Sequence, residues 1–174
     1  MVNEDDINFH YQAFFPSPNF IVDDYLQKIR LNQWPNVHLQ LVDPSLIISK
    51  RHIQIALYHT QKNFKQGNNI ARDHSTEFLL RISGKKQISS ALELFGVKGN
   101  SKIILVIAFG GNPSENEGAV KSFIKQMKIT EDNLFEIKFP ILNDEELSMT
   151  YQCGDNVRGI EKCVLERIAL LNIL

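Results

Sequence analysis

Hydrophobic and polar residues follow two periods along this chain, and the two periods predict different elements. Alternation with a period of two, or a short run that is apolar throughout, is typical of a strand. The run Ile103–Phe109 is apolar on both faces, as expected of a central strand that is covered on both sides. We predict four strands, at Phe9–Phe15, Val37–Val42, Ile103–Phe109 and Leu134–Phe139.

Apolar residues at helical spacing predict helices in the segments around these strands. The helix that begins after Ser49 has one apolar face and ends before Gly67, a natural C-terminal stop. Further helices are predicted over Asp23–Leu31, after Asp43-Pro44, from Ser75 to Gly84, from Ile88 to Gly96, after the capping-box pairs Ser114/Glu117 and Asn143/Glu146, and from about Asn156 to Leu171. One apolar set at i, i+3, i+4 and i+7 should face the core: Ile88, Ala91, Leu92 and Phe95.

The order of these elements predicts an α/β (α+β) fold, with a small mixed or antiparallel central sheet flanked by helices. A chain of 174 residues with 43% hydrophobic residues is large enough to bury about 70% of its unfolded surface. We therefore expect a single domain over residues 1–174. No apolar run approaches the roughly 20 residues that span a bilayer, so we expect no membrane partner.

The two cysteines favour a reducing compartment. Cys153 and Cys163 form no C-x-x-C pair and fall on different predicted segments, so we expect no disulfide. The N-terminal residues are acidic and lack the basic and apolar regions of a signal peptide. We expect a cytoplasmic protein, which would also be nuclear if the source is eukaryotic.

Charge is segregated along the chain although the net charge is only -1. The segment from Ser49 to Lys102 holds ten Lys and Arg against three Asp and Glu, whereas the rest holds nine against seventeen. Such segregation favours an anionic partner on one part of the surface. The alternative is that these lysines are only the solvated backs of three helices.

Motifs for catalysis are nearly absent. Gly110-Gly111 follows a strand and precedes a helix, but its surroundings match neither G-x-G-x-x-G nor the P-loop pattern. A tight turn is therefore favoured over a phosphate-binding loop. No G-x-S-x-G motif occurs, and His52 and His59 are roughly 10 Å apart along a helix, too far for one metal. We expect no enzymatic activity, metal or cofactor; a small nucleotide-binding enzyme using Gly110-Gly111 is the alternative.

Binding chemistry is better represented, around the turns at Gly67 and Gly84. The first turn, Gly67-Asn68-Asn69-Ile70, combines a flexible glycine with two amide side chains and precedes a helix N-terminus, which can hold an anion. Arg72 lies in the first turn of that helix, where the macrodipole disfavours a cation. Its presence suggests a partner, which is either a nearby acidic residue (Asp73 or Glu77) or a bound anion. Arg81 is spaced to pair with Glu77 at i+4.

The run GNNIARDHSTEFLLRISGKKQISSALELFGV, Gly67–Val97, resembles the signature of the PRPK-binding protein family. This family is the kinase-binding subunit of the KEOPS (EKC) complex. The matching positions are Arg72, Ser75 and Glu77, then Gln87-Ile88-Ser89, Ala91, Phe95 and Gly96. The element order before and after this run fits the family as well.

The resemblance implies a non-enzymatic subunit of a complex that makes threonylcarbamoyladenosine next to the tRNA anticodon. Such a subunit binds the N-lobe of a small atypical kinase that acts as an ATPase, and helps to recruit tRNA by its single-stranded CCA end. It meets the threonylcarbamoyltransferase and the dimerising subunit indirectly. The expected tRNA-binding residues are Lys62, Lys65, Asn69, Arg72, Lys85 and Lys86.

For the kinase, we expect contact through the last helix, whose apolar stripe is wider than one core contact needs. The residues concerned are Ile160, Val164, Ile168 and Leu171. The alternative is that this helix simply closes the core. A further alternative function is a scaffold that binds the kinase and makes no contact with tRNA.

Overall fold

The computed structural model of the protein describes residues 7–30, 34–153 and 159–172. These residues group into two compact units, which we call the sheet unit and the helical unit. The sheet unit is Asn8–Pro44 with Gly96–Ile137; the helical unit is Ser45–Phe95 with the described part of Lys138–Leu174, and it includes Ile7. A single domain over residues 1–174 stays a prediction.

The sheet unit contains the four predicted strands, all paired antiparallel in the order β2-β3-β1-β4. Tyr11 of β1 lies opposite Ile107 of β3, which lies opposite Gln40 of β2 on the other side. Every residue of β3 is buried, as its continuous apolar run predicts. The strands are β1 (Phe9–Phe14), β2 (His38–Val42), β3 (Ile104–Phe109) and β4 (Leu134–Phe135).

Two helices cover one face of this sheet, α1 (Val22–Arg30) and α5 (Pro113–Gln126). The aromatic rings of Phe14, Tyr25 and Phe123 meet between the sheet and these helices. Each large apolar side chain buried in this way contributes about 1.5–3 kcal/mol to the free energy of unfolding. The sheet unit therefore has its own hydrophobic core.

The helical unit comprises the other five helices in the described ranges, none of which is long and apolar enough to cross a membrane. In this unit α3 packs against α2, α4 and α7. Gly67 and Gly84 end α2 and α3 with left-handed φ values of 69° and 62°, which glycine adopts without a steric penalty. The helices are α2 (Lys50–Gln66), α3 (His74–Ser83), α4 (Ile88–Phe95), α6 (Asp144–Tyr151) and α7 (Ile160–Leu170).

Several predicted boundaries differ from the structure. The capping box of α5 is Asn112 with Glu115, and not Ser114 with Glu117, because Pro113 occupies the first helical position. The box at Asn143 and Glu146 is confirmed. Only a short 3-10 turn, Pro44–Leu46, follows Asp43. The predicted start of the last helix at Asn156 lies outside the described residues.

The expectation of no disulfide is wrong, because Cys153 and Cys163 are bonded to each other. Their Cα atoms are 6.1 Å apart, within the usual range for such a bond. A separation of ten residues is compatible with this pairing because α6 ends at Tyr151 and α7 begins at Ile160. The cysteines therefore no longer support a reducing compartment.

Candidate functional site

An open pocket of about 510 Å³ lies in the helical unit, between the turn that follows α2 and the end of α7. Its lining combines three side-chain amides, one ammonium group and one aliphatic side chain: Asn68, Asn69, Ile70, Lys86 and Asn172. We call it the amide pocket. Amide groups both donate and accept hydrogen bonds, so the lining can recognise a polar ligand that also carries negative charge.

The wall formed by residues 68–70 is held between the end of α2 and the start of α3. The backbone amide of Gly67 donates hydrogen bonds to the carbonyls of Asn63 and Phe64. Asn69 Nδ2 donates to the carbonyl of Ala71 at 2.8 Å, which fixes the side chain on the pocket wall. These bonds hold the backbone after α2 and the Asn69 side chain in place for a ligand.

A buried carboxylate fixes the same loop from behind. Oε2 of Glu77 accepts hydrogen bonds from the backbone amides of Ile70 at 2.8 Å and Ala71 at 2.7 Å. Oε1 accepts from Arg81 Nε at 2.8 Å and Nη2 at 2.6 Å. Both charged side chains are buried, so each neutralises a charge that would be costly alone. The predicted i+4 pair of Glu77 and Arg81 is confirmed.

Arg81 also connects the loop to the opposite wall of the pocket. Its Nη2 donates to Asn172 Oδ1 at 2.6 Å, and Asn172 Nδ2 donates to Asn63 Oδ1 at 3.2 Å. Asn63 Nδ2 is buried and has no hydrogen-bond partner among the residues that the structure describes. The pocket thus stands on one continuous network from Glu77 through Arg81 and Asn172 to Asn63.

The expected tRNA-binding residues are not equally placed. Asn69 and Lys86 line the amide pocket, whereas the other four do not. Lys65, Arg72 and Lys85 are exposed. The Lys62 ammonium lies 5.6 Å from the centroid of the Tyr58 ring, a weak cation–π contact.

Arg72 does not pair with Glu77, which is occupied by Arg81 and by backbone amides. Within the described ranges Arg72 forms no ion pair with an acidic side chain. Of the two partners that the sequence suggested, Asp73 instead caps α3 by accepting from the amide of Thr76 at 2.9 Å. Arg72 precedes this N-cap, so the expectation that it lies in the first turn of the helix is wrong. It is an exposed cation beside the helix N-terminus.

Electrostatics in this region disfavour further positive charge. The pKa of His59 is lowered to about 4, first by burial and then by the positive charges of Arg81 and Lys62. Burial also lowers the pKa of His74, against the opposing effect of Asp73 and Glu77. Both imidazoles are therefore neutral near pH 7, and the positive charge of the region comes from Lys and Arg.

The apolar stripe of α7 closes the core of the helical unit. Val164, Ile168 and Leu171 are buried, and Ile160 is half-buried. The exposure that we expected for a kinase contact is therefore absent at three of these four residues, because other residues of the chain already cover them. Kinase contact through α7 stays a prediction.

Exposed apolar residues occur on several elements, among them Met149 on α6 and Leu170 on α7, and on α4 two of them lie one helical turn apart. Ile88 and Leu92 are 49% and 46% exposed, whereas Ala91 and Phe95 are fully buried. The expectation that all four face the core is therefore wrong for two of them. Residues at i and i+4 are neighbours on a helix surface, so Ile88 and Leu92 form one apolar face, which we call the α4 face.

The Gly110-Gly111 turn is closed to a phosphate. The amide of Gly111 donates to Asn116 Oδ1 at 3.2 Å, and the amide of Asn112 donates to Glu115 Oε2 at 2.8 Å. A Cβ on Gly111 would lie 2.7 Å from the Val37 side chain, so the turn is tightly packed. These contacts favour the tight-turn interpretation, because the amides that would bind an anion already have acceptors.

The sequence indicated the turn Gly67-Asn68-Asn69-Ile70 as an anion site, although of its residues only Asn69 was expected to bind tRNA. Sequence reasoning missed the fifth residue of the amide pocket. Asn172 carries no local signal, since it meets Arg81 from 91 residues away in the chain. Only the folded arrangement brings these side chains together.

Residues 20–172 match the model of one protein family, described as kinase binding protein CGI-121. The match spans most of the chain and includes the whole amide pocket and the α4 face. It also includes the Gly67–Val97 run on which the resemblance to a kinase-binding family rests.

Proposed function

Because the chain belongs to the kinase binding protein CGI-121 family, we propose that it is a non-catalytic subunit of the KEOPS (EKC) complex. In this role it binds the small atypical kinase subunit and helps to recruit tRNA through the single-stranded CCA end. The observation that carries the tRNA half is the amide pocket, which is lined by three asparagines, Ile70 and Lys86.

The pocket suits an unpaired nucleotide. Its volume of about 510 Å³ falls within the range of about 300–1,000 Å³ that is usual for small-molecule sites. Base edges present donors and acceptors that match asparagine amides, and a phosphate matches the Lys86 ammonium. Ile70 is 42% exposed and supplies an apolar surface against which a base can pack.

Exposed cations around the pocket supply the remaining attraction. Lys65, Arg72 and Lys85 are exposed and belong to the segment with ten Lys and Arg against three Asp and Glu. Phosphate contacts of this kind release counterions, so the affinity for tRNA should fall steeply with salt. The proposed division is that the pocket holds the end of the strand while the exposed cations hold its backbone.

The lysine pair after Gly84 offers a direct test. Lys85→Glu combined with Lys86→Glu should weaken tRNA binding at least about tenfold and reduce the slope of log K against log salt by about 1.4. On a single strand, each lysine that no longer neutralises a phosphate lowers the slope by about 0.7. The fold should survive because both side chains are exposed. Titration of tRNA against the purified protein measures both quantities.

A matched control changes the same charge elsewhere in the helical unit. Lys138 and Lys162 are exposed and do not line the pocket, so Lys138→Glu with Lys162→Glu should leave most of the affinity intact. Equal weakening by the two pairs would mean that tRNA responds only to net charge. A chain that copurifies with the kinase but binds no tRNA would be a scaffold, and the tRNA half of the proposal would fail.

For the kinase half, we propose that the α4 face is the contact surface. Large apolar side chains are usually buried, and two adjacent ones that are about half exposed favour a partner surface. Kinase binding is the function by which the family is described, which makes the kinase the natural occupant. Contact with the kinase would bury the apolar surface of Ile88 and Leu92 that is exposed in this chain alone.

A further inference from the structure

Asn172 is the one residue of the amide pocket that comes from the C-terminal end of the described chain. We infer that its neutral amide sets the charge preference of the pocket: it presents a hydrogen-bond donor to a phosphate of the RNA end, and it does so because Arg81 holds it in one orientation. This inference rests on the proposed function, and it adds a specificity-determining residue to it.

The orientation of the Asn172 amide follows from its neighbours. A guanidinium group can only donate hydrogen bonds, so the oxygen of Asn172 faces Arg81 Nη2 at 2.6 Å. The nitrogen must then face the other way, and one of its hydrogens bonds Asn63 Oδ1 at 3.2 Å. An amide nitrogen carries two hydrogens. Within the described part of the chain, one donor is therefore left over on a residue that lines the pocket.

The network that holds Asn172 would also accept a carboxylate at this position. In the variant Asn172→Asp, the new carboxylate would receive the Arg81 bond with its charge-assisted strength. Asn63, whose Nδ2 now lacks a partner, could rotate its amide by half a turn and donate to the second carboxylate oxygen. The number of hydrogen bonds in the network would be unchanged. The wall would differ only in its charge and in the loss of its free donor.

The substitution Asn172→Asp therefore changes the charge that the pocket presents to a ligand and keeps the number of hydrogen bonds that hold the pocket together. A carboxylate on the same pocket as Lys86 would repel a phosphate and compete with it for the ammonium group. The melting temperature should stay within about 3 °C of the wild type. The affinity for tRNA with an intact CCA end should fall at least about tenfold, the effect of about 1.4 kcal/mol of lost binding.

The experiment compares tRNA that has its CCA end with the same tRNA lacking it. The wild type should bind the intact tRNA more tightly, and in Asn172→Asp the ratio of the two affinities should fall towards one. Asn100→Asp, an exposed change of equal charge outside the pocket lining, should keep the wild-type ratio. If the substitution only damaged the fold, stability would fall and the affinities for both tRNAs would fall together, so their ratio would stay as in the wild type.

Asn172→Ala is the second variant, because it removes the donor and adds no charge. It should weaken binding of intact tRNA by less than Asn172→Asp does, and it keeps the inference testable if the aspartate variant is unstable. An aspartate variant that binds and discriminates as the wild type does, or an alanine variant that is equally weak, would overturn the inference alone. A wild type that ignores the CCA end would overturn the proposed function as well.

Discussion

At the scale of single residues, the helical unit is organised around a buried arginine. Arg81 is among the largest fully buried side chains, and an unpaired charge at such a position would cost several kcal/mol. Glu77 neutralises it and also holds the backbone of Ile70 and Ala71. A pair that looks like an ordinary i+4 contact in the sequence therefore positions the loop of the amide pocket.

His52 provides a second residue-scale example, with a consequence for stability against pH. The ring is fully buried, with Nε2 bonded to the carbonyl of Ile82 at 2.9 Å and Nδ1 accepting from the amide of Ile48 at 3.4 Å. This arrangement requires the neutral imidazole. Burial lowers its pKa to about 4, although the bond to Ile82 opposes the shift.

Stability should consequently decrease in mild acid. Because the folded pKa of His52 is about 4 and the unfolded value is about 6.5, the unfolded chain binds more protons between these pH values. The contribution of His52, about 3 kcal/mol, should be complete above pH 6.5 and be lost as the pH falls towards 4. Urea unfolding at a series of pH values measures it. His52→Gln should reduce the slope but not remove it, because His59, whose pKa is also lowered to about 4, contributes in the same pH range. An unchanged slope in that variant would contradict the assignment.

Residue-scale sequence reasoning reached only contacts that are local in the chain. The Glu77–Arg81 pair and the Asn143–Glu146 capping box follow from spacing alone, and both are present. The contact of Arg81 with Asn172 has no such spacing rule. The disulfide was missed for a related reason: two cysteines ten residues apart can be bonded only if the intervening chain reverses, which spacing does not reveal.

At the scale of elements, α4 and α7 exchange the roles that their sequences suggested. Periodicity shows which residues share a helix face, but it does not show whether that face is covered. The wide stripe of α7 is covered, whereas Ile88 and Leu92 of α4 are not. The predicted strand after Leu134 also pairs over only two residues, because only Leu134 and Phe135 find partners in β1.

The α4 face is testable by comparison with the buried stripe. Ile88→Glu with Leu92→Glu should abolish capture of the kinase subunit and lower the free energy of unfolding by about 1.5–3 kcal/mol, since about half of each side chain is buried. Ile168→Ala should cost about 2–5 kcal/mol of stability and, while the protein remains folded, retain the kinase. Pull-down with the kinase subunit and urea unfolding give the two readouts. Full capture by the double glutamate variant would rule out the α4 face.

The disulfide joins the end of α6 to α7, and its contribution can be measured separately. Closing a loop of ten residues should stabilise the fold by about 3 kcal/mol, chiefly by restricting the unfolded chain. Cys153→Ser with Cys163→Ser should lower the free energy of unfolding by about this amount, and reductant should do the same to the wild type only. Identical unfolding midpoints with and without reductant would show that the bond contributes nothing.

At the scale of the whole molecule, the class of fold was predictable and the arrangement of the sheet was not. Each predicted strand occurs, and the continuous apolar run of β3 correctly indicated a central position. The order β2-β3-β1-β4 depends on which edges the long connections bring together, and alternation of side chains carries no information on that. The kinase-binding family indicated by Gly67–Val97 is confirmed by the match over residues 20–172.

The candidate site, like the fold, could be predicted from the sequence only in part. Charge segregation pointed to Ser49–Lys102 as the segment that meets an anionic partner, and four of the five pocket-lining residues lie within it. The fifth, Asn172, completes the pocket from the other end of the chain. The pocket therefore combines residues of a positively charged segment, which the sequence shows directly, with Asn172, which only the tertiary fold brings to them.

The central claim, that this surface holds the single-stranded end of tRNA, is tested most directly by one binding measurement. Dissociation constants are determined for one tRNA with its CCA end and for the same tRNA without it, over a series of salt concentrations. We predict that the intact tRNA binds at least about tenfold more tightly, a difference of about 1.4 kcal/mol, and that both affinities fall as salt rises. Equal affinity for the two tRNAs at every salt concentration would contradict the account.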